Sequence, residues 1–86
     1  MKRRLPPFTK LGAVFLKFMD RHGMDYISFA EKLNVPYASA NQWVVGKLTK
    51  TEKGPIRTAC YPTMKHALRI VEKYPELLKE MQEAMQ

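Results

Sequence analysis

The side chains of this chain that could take part in chemistry are hydrogen-bonding and cationic. Between residues 37 and 42 the chain carries a phenol, a hydroxyl and two carboxamides, from Tyr37, Ser39, Asn41 and Gln42. These groups donate and accept hydrogen bonds but form no catalytic set. The sequence shows no Ser, His and Asp set, no carboxylate pair, no glycine-rich phosphate loop and no metal-ligand spacing. We therefore expect no enzyme, no metal site and no cofactor.

The segment that positions these side chains, residues 29–47, has the pattern of two short helices. Its apolar residues share one face only if the chain turns sharply near Asn34, a residue type that tolerates the left-handed conformation. Ala30 is small where the second helix crosses the first, and Gly46 supplies the helix stop. This is a helix-turn-helix pattern. The expected buried positions are Phe29, Ala30, Leu33, Val35, Ala40 and Trp43.

With these residues in place, the stretch from Tyr26 to Lys47 resembles the helix-turn-helix of the lambda-repressor and Cro type, the xenobiotic-response-element family of bacterial and phage regulators. The shared features are a Leu-x-Val turn and the Trp-x-x-Gly that closes the second helix. The chain departs from the family at Tyr26, where many members carry a Gln that touches a phosphate, and at Pro36, where many carry a Ser or Thr cap. The resemblance implies an all-α, five-helix lambda-repressor-like domain over residues 9–86, with the helix-turn-helix at 26–46.

In such a domain the second helix, here about residues 36–45, contacts base edges in the major groove. Asn and Gln can each pair two-pronged with adenine, and no Arg or Lys lies on this face. The expected readout is therefore polar and apolar, tilted towards A·T pairs. The alternative is an ordinary solvated helix face. The residues predicted to read bases are Tyr37, Ala38, Ser39, Asn41 and Gln42.

The connection that follows, residues 48–61, is fourteen residues long, whereas the median connection is roughly 4 to 6 residues. Two forms fit: a β-hairpin wing, with strands at 48–51 and 56–60 and the turn at Gly54-Pro55, or a flexible basic loop. In either form its cations are predicted to contact phosphates; the alternative is a solvated insertion without contacts. The predicted phosphate contacts are Tyr26, Lys47, Lys50, Lys53 and Arg57.

The remaining chain predicts an arm and three more helices. Residues 1–8 combine three cations with two prolines that forbid helix, so this arm either enters a groove through Lys2, Arg3 and Arg4 or is a solvated tail. Helix 1 is expected to begin after the cap Thr9 and run to His22, and helix 2 to begin behind Asp25 and end at Leu33.

Helix 4 is expected over residues 62–73 and helix 5 over 75–85. Met64, Ala67, Leu68 and Val71 repeat at helical spacing and are predicted to complete the core around Trp43. Helix 5 presents a second apolar face, which either folds back on helix 1 or forms a dimer contact. The resemblance implies a homodimer on a palindromic site. The apolar residues of helix 5 are Leu77, Leu78, Met81 and Met85.

The charge balance points to a polyanionic partner. The chain has 86 residues and a net charge of +7, and residues 1–71 hold 13 of the 15 Lys and Arg but only four of the eight Asp and Glu. The single cysteine, Cys60, cannot form an internal disulfide, and no apolar run is long enough for a membrane span. Because Pro6-Pro7 interrupts the start, we expect no signal peptide and no membrane, but a cytoplasmic protein associated with the nucleoid.

The resemblance implies a sequence-specific, double-stranded DNA-binding transcriptional regulator. We expect a repressor that acts by promoter occlusion, either phage Cro-like or antitoxin-like, the latter with a toxin as protein partner. The alternatives are an architectural DNA-binding or recombination accessory protein, and a helix-turn-helix module that docks on another protein without binding DNA. Steep salt dependence of DNA binding would separate the repressor and the architectural protein, which both bind DNA, from the protein-docking module.

Overall fold

The computed structural model describes residues 6–85, and these form five helices and one two-stranded sheet. The prediction of an all-α class is wrong, because the connection after the third helix forms an antiparallel pair of strands. The predicted number of helices agrees with the structure, and the hairpin is the alternative that the structure adopts for this connection. The elements are α1 Lys10–Arg21, α2 Tyr26–Leu33, α3 Tyr37–Val45, β1 Lys47–Thr51, β2 Gly54–Thr58, α4 Met64–Lys73 and α5 Leu77–Ala84.

The first two helices begin at the predicted caps. The hydroxyl of Thr9 accepts a hydrogen bond from the backbone N–H of Gly12 at 2.9 Å, and the carboxylate of Asp25 accepts one from Ser28 N–H at 2.8 Å. Each bond satisfies a backbone donor that the first helical turn leaves without an intrahelical acceptor. The hydrogen bond from Ser28 also lowers the pKa of Asp25 from its ordinary value. Both start positions are therefore confirmed.

The turn between α2 and α3 has the expected backbone. Asn34 ends α2 in the left-handed conformation, with φ 56° and ψ 47°, and Val35 is buried behind it. Pro36 is extended, with φ −62° and ψ 143°, so it lies at the cap position and α3 begins one residue later, at Tyr37. The prediction that Pro36 is the first helical residue is off by that one position.

Aromatic rings form the centre of the core. Phe15 lies 5.8 Å from Phe29 and 5.9 Å from Trp43 between ring centroids, so α1, α2 and α3 meet around one ring. Helices α1 and α3 lie close together at Gly12, where an added Cβ would lie 2.6 Å from the carbonyl oxygen of Val44. Gly12 therefore permits the contact between α1 and α3.

Helix α4 turns a different face to the core from the one predicted. Ile70 is fully buried, whereas Met64 is 75% exposed and Leu68 is 56% exposed. The prediction is therefore wrong for Met64 and Leu68, although Ala67 and Val71 are half-buried against the core. The face next to Trp43 is occupied by His66, whose ring centroid lies 5.6 Å from that of the indole.

One hydrogen bond and two ion pairs link α4 and α5 to the rest of the domain. Arg69 of α4 donates from Nη1 to the carbonyl oxygen of Asn34 at 2.9 Å, which ties α4 to the turn between α2 and α3. Arg21 of α1 lies 3.5 Å from Glu76 and 3.6 Å from Glu80 of α5. The α5 residues Leu77 and Met81 are buried beneath this ion pair network, as one of the two expected arrangements requires.

Candidate nucleic-acid interface

The five residues predicted to read bases lie together on α3, but they differ in exposure. Tyr37 is 51% exposed and Ala38 is exposed, while Ser39, Asn41 and Gln42 are half-buried. The opposite side of the helix is buried through Ala40 and Trp43. The outer side of α3 is therefore a polar surface that is exposed to solvent at the first two residues of the helix and half-buried further along.

Tyr26, predicted to contact a phosphate, lies at the start of α2 and packs against Tyr37. The two rings meet edge to face, with centroids 6.4 Å apart and planes at 82°. The hydroxyl oxygen of Tyr26 is buried in this arrangement. A phosphate contact through that hydroxyl would require the ring to swing outward, whereas the ring of Tyr37 is already accessible.

The connection after α3 is a regular antiparallel hairpin. Lys47 is opposite Thr58 and Thr51 is opposite Gly54, so Glu52-Lys53 forms the two-residue turn. The prediction of a turn at Gly54-Pro55 is wrong, because both residues belong to β2. Gly54 has φ 111°, a conformation that L side chains rarely adopt, and so it closes the turn instead of forming its tip. The hydroxyl of Thr51 donates to the carbonyl oxygen of Gly54 at 2.6 Å and reinforces this closure.

The hairpin is joined to the end of α3 through a single residue. Gly46 has φ 86°, and a Cβ there would lie 2.7 Å from the carbonyl oxygen of Thr58, so only glycine fits without displacing β2. Arg57 of β2 donates from Nη1 to the carbonyl oxygen of Val45 at 2.9 Å. That carbonyl lies in the last turn of α3, where backbone acceptors lack intrahelical partners. The hairpin therefore extends α3 as a fixed element.

The predicted phosphate-binding cations do not share one face of the hairpin. Successive strand residues point to opposite faces, so Lys47 lies on one face of the hairpin and Lys50 on the other. Leu48 and its cross-strand partner Arg57 lie on the same face as Lys50. Lys53 lies in the turn. All three lysines are exposed, whereas one guanidinium nitrogen of Arg57 is engaged by Val45. The structure thus brings the lysines together along one hairpin but gives Arg57 an anchoring contact.

Contacts between residues far apart in sequence could not be read from the chain. Cys60, which follows β2, donates a thiol hydrogen bond to Oε1 of Gln42 across 3.9 Å, and Arg69 reaches Asn34 from a helix 35 residues away. The sequence contained one usable signal, since a glycine at position 12 inside an amphipathic helix marks a close helix contact. The contacts of Cys60 and Arg69 have no such signal, because they depend on how the hairpin and α4 pack against α3 and the turn before it.

A second surface lies between α4 and α5. It is an open groove of about 600 Å³, and four of its apolar side chains are exposed. None of the residues that line it is charged, and Gln82 is an exposed polar residue of its lining. The exposed apolar residues are Met64, Leu68, Leu78 and Met85, and the half-buried or buried ones include Leu11, Ala67, Val71 and Met81.

Some predictions fall outside these observations. The arm cations Lys2, Arg3 and Arg4 lie outside the described residues. Within residues 6–85, no cluster of three or more His, Cys, Asp or Glu side chains is arranged to hold a metal ion. Over the same range, no helix has both the length and the apolar character needed to cross a membrane.

Compared with known proteins, the chain matches no protein-family model, no curated protein and no solved structure significantly.

Proposed function

We propose that this chain binds duplex DNA at specific sites and regulates transcription, as a repressor that occupies a promoter where polymerase must bind. One observation carries the proposal: the polar outer side of α3 continues through Gly46 into a fixed hairpin that carries three exposed lysines. The likeness of residues 26–47 to the lambda-repressor and Cro type of helix-turn-helix supports it.

The dimensions of α3 suit the major groove. An α-helix with its side chains is about 10–12 Å in diameter, and the groove is about 12 Å wide. Base contacts in this binding mode come from the first residues of the helix and from those one turn later. In α3 these are Tyr37 and Ala38, followed by Asn41 and Gln42. The proposed readout therefore uses an aromatic ring, a methyl group and two carboxamides.

The hairpin supplies the electrostatic part of the proposed contact. Each strand has five residues, or about 16 Å of extended chain, so the lysines are spread from the end of α3, at Lys47, to the turn of the hairpin, at Lys53. Lysine contacts to phosphates are independent of sequence and release counterions, which makes the binding steeply salt-dependent. In the proposed complex α3 selects the site, and Lys47, Lys50 and Lys53 contribute affinity along the backbone.

We propose a second copy of the chain as the occupant of the groove between α4 and α5. Two copies with a net charge of +7 each repel one another, and an uncharged surface is where they can approach with least repulsion. The exposed side chains at Met64, Leu68, Leu78 and Met85 would be buried in this contact. A dimer presents two α3 helices to two half-sites one helical turn apart.

The experiment is a binding titration by fluorescence anisotropy at two salt concentrations. It compares duplex from the promoter region upstream of the chain's own gene with random duplex of equal length. We expect a steep loss of affinity with salt, and a preference for the promoter of roughly a thousandfold or more. Equal binding to both duplexes would contradict the repressor proposal and favour an architectural DNA-binding protein. Absence of binding at low salt would favour a module that docks on another protein.

A further inference from the structure

The side chain of Gln42 faces the segment that follows the hairpin. Cys60 lies two residues after β2 and is half-buried against the core. Its Sγ lies 3.9 Å from Oε1 of Gln42, and Gln42 is itself half-buried although it belongs to the outer side of α3. The hairpin brings Cys60 to this position, because Arg57 fixes β2 to the end of α3.

We propose that Cys60 is a positioning residue that orients the carboxamide of Gln42 and so determines which base edge Gln42 reads. The base-reading half of this inference rests on the proposed function, whereas the contact between the two side chains does not. Nothing in the proposed role requires the thiol to react. It requires only that the thiol remain a hydrogen-bond donor.

The geometry of the contact sets the orientation of the amide. A thiol is a weak donor, and the atom of Gln42 that lies toward it is the carbonyl oxygen, the acceptor end of the carboxamide. Oε1 of Gln42 therefore faces Cys60, and the NH₂ group, which carries two donors, is directed away from it. The donor end of Gln42 is the part left available to a ligand at the surface of α3.

An amide held in this way favours a different base from a free one. Two-pronged pairing with adenine needs both an acceptor and a donor from the carboxamide, since adenine presents N7 as acceptor and N6–H₂ as donor. Guanine presents two acceptors, N7 and O6, in the major groove. Oε1 of Gln42 keeps a second lone pair, but it is turned toward half-buried Cys60, so the NH₂ group is the end that faces a base, and a donor there matches guanine. At this position the readout departs from the A·T preference expected from the sequence.

The contact is tested first in the free protein by NMR. The measurement is the ¹H–¹⁵N heteronuclear NOE of the Gln42 side-chain NH₂ group in the wild type, Cys60→Ser and Cys60→Ala. We expect the same value in the wild type and in Cys60→Ser, which keeps a donor. In Cys60→Ala the value should be clearly lower, because the side chain moves more freely. Equal values for Gln42 in the wild type and in Cys60→Ala would overturn the positioning role without bearing on DNA binding.

The base preference is tested by selecting duplexes from a random library with the wild type, Gln42→Ala, Cys60→Ala and Cys60→Ser. The position whose preference disappears in Gln42→Ala marks the contact. There we expect the wild type to favour guanine over adenine by about fivefold or more. Cys60→Ala should reduce that ratio by about twofold to fivefold, the effect of one weak hydrogen bond, and Cys60→Ser should retain it.

Three results of the selection would overturn the base-reading inference. The first is adenine preferred by the wild type at the Gln42 position, and the second is a ratio unchanged in Cys60→Ala; in both cases the proposed function would stand. The third is a wild type that selects no sequence, which would also overturn site-specific binding. Thermal unfolding followed by circular dichroism confirms that each variant is folded, and Cys60→Ser separates loss of the donor from loss of packing.

Discussion

Arg57 of β2 donates a hydrogen bond from Nη1 to the carbonyl oxygen of Val45 at the end of α3, at 2.9 Å. The contact ties the hairpin to the helix that carries the candidate base-reading residues. It also places a cation at the negative end of the α3 dipole. Because of it, α3 and the hairpin form one unit, and the orientation of each constrains the other.

The first prediction concerns this anchor. Arg57→Ala should lower the free energy of unfolding by about 0.5–1.5 kcal/mol, the typical net contribution of one hydrogen bond, measured by urea denaturation. Amide hydrogen exchange should become faster in β1 and β2. The salt dependence of DNA binding separates this role from a phosphate contact: an anchor leaves the slope unchanged, whereas loss of a phosphate contact would reduce it by about 0.9.

The second prediction concerns Gly12. Gly12→Ala should destabilise the protein by about 1–3 kcal/mol, because the added Cβ has backbone atoms of α3 in its way and two packed helices must separate. At an exposed helical site the same change would stabilise by about 1 kcal/mol through helix propensity. The sign of the change in the free energy of unfolding, measured by denaturation, therefore shows whether position 12 is in close contact with α3. A variant more stable than the wild type would contradict the close contact with Val44.

The third prediction compares two neighbouring residues of α4. Ile70→Ala should cost about 2–5 kcal/mol of folding free energy, since Ile70 is fully buried and its truncation leaves a cavity. Leu68→Ala should change the stability of the monomer by less than about 0.5 kcal/mol. Both values are measured by denaturation at low protein concentration. Equal losses would show that α4 presents the face expected from its sequence and not the one described here.

The fourth prediction concerns the proposed contact with a second copy. Leu68→Glu should weaken self-association at least about tenfold, because burial of an unpartnered charge in an apolar contact costs several kcal/mol. Sedimentation equilibrium of the free protein measures this, with Ile27→Glu, an equally exposed apolar residue on α2, as the matched control. A monomeric wild type at high micromolar concentration, or equal weakening by both variants, would remove the proposed dimer.

The fifth prediction is the pH dependence contributed by Asp25. Hydrogen bonding from Ser28 depresses the pKa of Asp25 below its ordinary value of 3.8, so the ionised carboxylate is favoured in the folded state. Its contribution to stability is complete above pH 3.8 and is lost as the pH falls through the lower, folded-state pKa. Asp25→Asn retains an acceptor but cannot titrate. The stability difference between wild type and variant should therefore be constant near neutral pH and shrink in acid; a difference that grows in acid would contradict this.

The sequence predicted local features well because each depends on neighbouring residues. Thr9 and Asp25 cap helices through bonds that span three residues, and Asn34 ends a helix through its own backbone conformation. The number of helices and the alternative of a hairpin followed from the same local patterns. The position of the turn in that hairpin did not, because Gly54 closes the turn through a positive φ that Gly-Pro content alone does not locate.

The sequence did not predict features that depend on packing between residues far apart in the chain. In α4 the spacing of Met64 and Leu68 predicted an inward stripe, but the contact of His66 with Trp43 and the bond from Arg69 to Asn34 rotate another face inward. The fold class was wrong because the connection after α3 pairs as two strands, one of the two forms that the sequence left open for it. The link between Cys60 and Gln42 joins residues 18 positions apart and has no local signature.

The most direct test of the central claim is the salt slope of DNA binding for two charge-matched variants. One replaces Lys47, Lys50 and Lys53 of the hairpin by Ala, and the other replaces Lys17, Lys73 and Lys79, which are exposed elsewhere on the surface. We predict that the hairpin variant loses affinity and that its slope of log K against log salt falls by about 2 to 3, at about 0.9 per phosphate contact. The control should keep a slope close to that of the wild type. Equal losses in both variants, or a wild type whose binding does not depend on salt, would contradict the claim that α3 and the hairpin together form a DNA-binding surface.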